Sequence, residues 1–217
     1  MKFFRLLVLT CFLIQGMKAS ASDNFYVRGD FQNILPSKLT DYQFYNKKSI
    51  KNSYGYGFGV GYDFKKFRAD ISLQRIGKMK FSHHIVYGNS DYNAEQNLSS
   101  TVVMLNGFVD FFKVQNFATF FTAGLGYASN KAGNYNVVKG QYQNGDRTDN
   151  LAWKLGLGTS YNLNKNVSFD FSYSYMYLNQ YKTSDLIVVS TGTFYNPIAP
   201  KTRLAIHGLN LGVRYNF

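Results

Sequence analysis

The last nine residues, Leu209-Asn210-Leu211-Gly212-Val213-Arg214-Tyr215-Asn216-Phe217, alternate without a break. Leu209, Leu211, Val213, Tyr215 and Phe217 fall on one side of an extended strand, and Asn210, Gly212, Arg214 and Asn216 on the other. A half-buried strand of a water-soluble protein carries this pattern. So does a strand whose apolar side faces lipid and whose polar side faces a lumen. The rest of the chain has to separate the two.

Seven earlier segments repeat the two-residue period: Phe25–Phe31, Tyr54–Phe64, Phe67 to about Arg75, Thr101–Phe111, Thr119–Tyr127, Leu151–Tyr161 and Val167–Tyr177. In the second, Tyr56, Phe58, Val60, Tyr62 and Phe64 alternate with Gly57, Gly59, Gly61 and Asp63, which is too regular for a loop. In the seventh, Val167, Phe169, Phe171, Tyr173, Tyr175 and Tyr177 oppose Ser168, Asp170, Ser172, Ser174 and Met176. Pro36, Pro197 and Pro200, the three prolines, lie outside the alternating segments, as prolines must where a ladder needs every N–H.

The connections set the topology. Lys65-Lys66, Phe112–Ala118 and Asn162–Asn166 are short, whereas 32–53, 76–100, 128–150 and 178–203 each exceed twenty residues. This long, short, long, short rhythm predicts an all-β, eight-stranded antiparallel up-and-down transmembrane β-barrel over 22–217, with four long extracellular loops on one rim and both termini on the other. A soluble barrel of eight strands has no reason to alternate its loop lengths or to expose its apolar faces.

The beginning of the chain and its composition agree. Lys2 and Arg5, then the apolar run Leu6–Ile14, then Ala19-Ser20-Ala21 read as a signal peptide over 1–21, cleaved after Ala21. The run is too short for a spanning helix, and Val8, Leu9 and Thr10 make a poor lipidation context for Cys11. Without Lys2, Arg5 and Lys18 the 24 basic residues become 21 against 12 acids, a net charge of +9. The only cysteine is lost too, so no disulfide framework holds the chain. No later stretch is apolar enough for a membrane helix, which leaves a closed sheet as the one way to span a bilayer.

The inner face inferred from these strands holds Arg28, Arg68, Lys154 and Arg214 against Asp30, Asp63, Asp70, Asp110 and Asp170. A lumen of eight strands is filled by side chains, so these charges are expected to pair as a plug. The opposite face is almost free of charge, as lipid requires.

Val102-Val103-Met104-Leu105-Asn106-Gly107-Phe108-Val109-Asp110-Phe111, Thr122-Ala123-Gly124-Leu125-Gly126, Leu155-Gly156-Leu157-Gly158-Thr159-Ser160 and His207-Gly208-Leu209-Asn210-Leu211-Gly212-Val213-Arg214 resemble the small eight-stranded outer-membrane barrels of the OmpA/OmpX-like family, and within it the rickettsial surface adhesins. The resemblance covers most strands and little of the loops. It implies a cell outer membrane location of Gram-negative type with periplasmic termini, contact with outer-membrane lipid and lipopolysaccharide, and a terminal Phe217 read by the barrel-assembly machinery. It implies no enzyme and no cofactor, and a surface adhesin whose partner is a host surface or serum protein. A structural envelope protein or a narrow porin is the alternative.

Strand motifs report fold more than function, so function is expected in the loops. Their basic and tyrosine-rich make-up suits protein recognition, with Lys47, Lys48, Lys51, Tyr87, Tyr92, Tyr142, Arg147, Tyr181 and Lys182 as candidate ligand contacts. The same lysines could pair with anionic sugars of the bacterium's own outer leaflet. His83-His84 points to opposite faces of a strand and brings no further ligand, so no metal site is expected. His207 belongs in the polar rim rather than in a lipid hydrolase, and the charge, on an exported chain without a recognition motif, does not indicate nucleic acid.

Overall fold

The structure, a computed structural model, describes residues 24–37, 48–87, 90–138, 141–189, 192–195 and 201–217. The expected signal peptide and Lys47 lie outside the described residues. Eight long strands make the wall: β1 (Phe25–Pro36), β2 (Ser53–Asp63), β3 (Phe67–Tyr87), β4 (Ser90–Val114), β5 (Phe117–Ala132), β6 (Arg147–Asn162), β7 (Val167–Val189) and β8 (Lys201–Asn216). Each pairs antiparallel with the next. β8 also pairs with β1, from Tyr26↔Asn216 to Pro36↔Ile206, so the expected eight-stranded antiparallel barrel is closed. The Phe217 N–H donates to the Phe25 carbonyl at 3.0 Å, which brings both ends of the described barrel to one rim, the terminal rim. On that rim the β2–β3 turn has Lys65 at φ 71° and the β4–β5 turn has Gln115 at φ 50°.

The outer wall is apolar as the alternation demands. Ile71, Leu105, Leu125 and Leu211 are 63%, 60%, 63% and 59% exposed, values that only a lipid environment makes favourable. On β5 the apolar column runs from Phe117 to Tyr127, about 25 Å for a tilted strand, the height of a membrane barrel's hydrophobic band. A Leu211→Arg variant, near the middle of the band, is expected to lose about 2–4 kcal/mol of stability. The urea midpoint of the barrel in lipid vesicles measures it, with Leu211→Met as the near-neutral reference.

The wall is taller than the sequence pattern indicates. A transmembrane strand needs about 9–11 residues, but β3, β4 and β7 run for 21, 25 and 23. The stretch expected as a loop over 76–100 is paired strand on both sides of residues 88–89, from Ile76↔Ser100 to Tyr87↔Ser90. The other three stretches expected as loops also carry strand. β1 runs to Pro36 and Lys48–Ile50 pairs with β3; Tyr135–Val138 and Gln141–Gly145 form a hairpin; Gln141–Gly145 and Gly192–Tyr195 flank the end of β7. The alternation hid these extensions for two physical reasons. Bulges between Ile76 and Met79 and between Tyr177 and Asn179 shift the side-chain phase by one residue. Above the apolar band the polarity of the two faces also inverts. Arg75, Lys78, Lys131, Arg147 and Arg203 stand exposed, while the inside turns apolar.

The interior therefore has two storeys. Next to the terminal rim it is polar and charged. Above, Ile34, Ile76, Met79, Phe81, Leu98, Val102, Met104, Ala128, Ala132, Ala152, Met176, Leu178, Tyr181, Leu204 and Ile206 pack into one buried apolar cluster. The upper storey is built like a soluble barrel, with apolar residues inside and polar residues outside.

Candidate functional site

The charged layer is organised by Asp70, which is 2% exposed. Its carboxylate accepts hydrogen bonds from Arg28 Nε at 2.6 Å, Asn106 Nδ2 at 2.7 Å and the Tyr26 hydroxyl at 3.2 Å. The Arg28 guanidinium also pairs with Asp30, two positions along the same face of β1. Arg68 pairs with Asp110 at 2.9 Å and reaches Asp170 at 4.0 Å, and Arg214 approaches Asp170 at 3.6 Å. Opposite charges buried this closely offset much of each other's desolvation. The sequence indicated these residues as a plug, and the structure brings eight of the nine into one layer.

Asp63 departs from that expectation. It sits at the turn, where its carboxylate accepts the Lys65 N–H at 2.7 Å, and makes no ion pair within 4 Å among the described residues. Lys154 is in the layer and 7% exposed, but no carboxylate of the described residues lies within 4 Å of its ammonium. It lines a cavity of about 20 Å³ with Asp30, Asp170, Ser172 and Asn210, room for about one water. Two aromatic side chains complete the layer. Phe108 and Phe120 lie inside the barrel, with the Arg68 guanidinium 5.1 Å from each ring centre and that of Arg28 5.3 Å from Phe108. They supply apolar bulk and cation–π attraction to arginines in a tight space. The alternation sets Phe108 on the inner face with Asn106 and Asp110 but does not give its contact with the arginines, and Phe120 was missed. The arginines fit because glycine faces them: a Cβ on Gly59 would lie 3.2 Å from Arg28 Nε, and one on Gly61 would lie 2.4 Å from Tyr26 Cζ.

The candidate ligand residues scatter over the far rim. Lys51 and Arg147 are exposed, and Lys182 is half-buried. Lys48, Tyr87, Tyr92 and Tyr142 lie on rim strands. Tyr181 needs correction as a ligand contact. It is 2% exposed, and its hydroxyl shares a hydrogen bond of 2.5 Å with Ser100 Oγ inside the barrel. The bulge at Tyr177/Asn179, with Asn179 at φ 64°, turns Tyr181 inward where the uninterrupted alternation would place it on the lipid side. His207 faces outward in the aromatic belt. Its Nδ1 is 2.5 Å from the Tyr173 hydroxyl, and its ring stacks on Tyr173 and meets Tyr175 edge-on. Among the described residues no group of three or more His, Cys, Asp or Glu could hold a metal ion.

A closed strand ring with a lipid-facing apolar band and an ion-paired interior defines an outer-membrane β-barrel. The chain belongs to the outer membrane protein β-barrel domain family, whose model matches residues 4–217. It is 27% identical over 227 residues to a protein of Rickettsia akari (strain Hartford) named as a candidate adhesin, with 100% of each chain covered. A second protein so named, from Rickettsia bellii (strain OSU 85-389), is 27% identical over 205 residues, covering 90% of this chain and 89% of its own. Among solved structures, Neisserial surface protein A superposes with a TM-score of 0.55 at 16% identity, covering 89% of this chain and 97% of its own. The outer membrane protein OprG from Pseudomonas aeruginosa gives 0.53 at 16% identity, covering 90% and 96%. These likenesses extend to the barrel fold, and the protein is an outer-membrane protein.

Proposed function

We propose that this barrel is a non-enzymatic surface adhesin, oriented with both termini toward the periplasm and the upper storey in the external medium. The observation that carries the reading is the upper storey itself. A barrel that only spans the membrane stops at the edge of the apolar band. This one continues through strands of 21, 25 and 23 residues around a separate apolar core, a rigid platform raised above the lipid. Lys51 and Lys182 on this rim, with the rim strands that carry Lys48, Tyr87, Tyr92 and Tyr142, offer basic and aromatic contacts of the kind that anchor protein interfaces. The two rickettsial proteins named as candidate adhesins match this chain almost end to end, which supports the same assignment. The partner is a host surface or serum protein, and the ion-paired lumen, with space for about one water beside Lys154, argues against a porin. Phe217 is the residue offered to the barrel-assembly machinery.

The test trims the platform. Arg75 and Thr101 face each other across β3 and β4, so an Asn-Gly turn can join the strands there in place of 76–100. In bacteria displaying either form at equal surface density, the trimmed barrel is expected to lower attachment to host cells at least tenfold. Equal attachment of the two forms defeats the adhesin reading.

A further inference from the structure

The upper storey has a seam between β6 and β7. Their ladder runs from Ser168↔Asn162 up to Tyr177↔Trp153, and β7 next pairs on that side at Thr183↔Gly145. Over the same height β6 stays paired with β5 as far as Lys131↔Arg147, and β7 stays paired with β8 as far as Lys182↔Lys201. Each leaf of the wall is intact. Among the described residues, however, nothing pairs with 178–182 of β7 on the β6 side.

Side-chain amides take the place of that ladder. Asn130 of β5 is fully buried, and its Nδ2 donates to the Leu178 carbonyl at 2.7 Å and to the Gln180 carbonyl at 3.0 Å. These carbonyls flank Asn179, the residue at φ 64° in the bulge. Asn150 of β6 adds a donation from its own Nδ2 to the Gln180 carbonyl at 2.8 Å. The circuit closes through Ser100, whose Oγ meets the Tyr181 hydroxyl and donates to Asn130 Oδ1, both at 2.5 Å. Both amide hydrogens of Asn130 and its oxygen are thus engaged on one bulge and its neighbour. A side chain without N–H groups would strand two carbonyls beside the apolar cluster, a cost that β7 can relieve only by leaving its place.

We propose that Asn130 is a positioning residue for the platform: by donating to Leu178 and Gln180 it holds the rim end of β7, Lys182 included, on the wall where the backbone ladder fails. Asn150 shares the load at Gln180, and Ser100 orients the amide. Holding the rim needs no ligand, so the inference goes beyond the adhesin reading and stands or falls separately from it. The competing account is packing alone, since Asn130 also fills space. The two differ in what a side chain of the same shape without N–H groups would do.

Tyr181, 2% exposed beneath the seam, reports on it, with Tyr54 at 64% as the exposed reference. The barrel is refolded in lipid vesicles and treated with tetranitromethane, and nitration of each tyrosine is followed by mass spectrometry. In the parent, Tyr181 is expected to react at least tenfold more slowly than Tyr54. Asn130→Asp keeps the shape and the contact with Ser100 but loses both N–H donors, and Asn130→Leu loses all three hydrogen bonds. Each should speed Tyr181 nitration at least tenfold in a barrel whose heat-modifiable gel migration is unchanged. Either folded variant leaving Tyr181 protected overturns the proposal. A measurement on the parent alone serves if the variants do not fold: by NMR the side-chain amide protons of Asn130 should exchange at least tenfold more slowly than those of exposed Asn97, and equal rates overturn the proposal as well.

Discussion

An Asp70→Ala barrel will unfold at a markedly lower urea concentration than the parent, with a loss of about 3–5 kcal/mol. The carboxylate serves three donors at once, Arg28 Nε, Asn106 Nδ2 and the Tyr26 hydroxyl. Its removal leaves the Arg28 guanidinium with Asp30 alone, in a layer where water has little room to replace the lost partner. The damage comes from the unmatched cation more than from the missing bond. The double variant Asp70→Leu/Arg28→Met should therefore be more stable than Asp70→Ala, because an apolar filling needs no partner. The midpoint is read from the folded and unfolded gel species across a urea series. A wild-type midpoint for Asp70→Ala would show that Asp70 does not organise the plug.

A carboxylate in the upper storey will act locally. Leu178 is fully buried among Met176, Tyr181, Leu204 and their neighbours, and Leu178→Asp places a charge there with no basic partner in the cluster. The expected penalty is several kcal/mol, enough to loosen a layer that lipid does not clamp. The charged layer below keeps its ion pairs and its lipid belt, so the band shift on heating should survive. Hydrogen exchange of the amides over Ser99–Val102 and Leu178–Lys182 should rise at least tenfold, while that of Asp70 and Asn106 stays slow. A uniform rise along β4 and β7 would mean that the two storeys unfold as one.

The difference between those two substitutions also marks what the sequence could convey. Arg28, Asp70 and Arg214 were assigned to the interior from alternation alone, since a two-residue period needs no knowledge of neighbours. Which aspartate holds which arginine was not legible, because Asp70 lies 42 positions from Arg28 and partners across the barrel are set by its register. The role of Phe120 was hidden because its strand was read from Thr119 as an outward pattern, and a phenylalanine on the lumen side carries no signal until the arginines above it are placed. At the rim the reading stopped where the alternation did. Lys78 looks like a loop residue to a scan that expects apolar residues outside, although the strand continues through it. Tyr181 was lost to the same bulge that carries Asn179.

That bulge has a genetic consequence. Beyond Tyr177 the inward or outward direction of every side chain on β7 depends on one extra residue, as it does beyond Ile76 on β3. Deleting a single codon at Asn179 would remove the bulge and leave Leu178 and Tyr181 two positions apart, both still facing inward. A bulge can therefore absorb the loss of one residue without turning the rim inside out, whereas the same deletion in the regular, lipid-facing half would reverse every side chain beyond it. The two bulges stand at the boundary where such changes stop being tolerable.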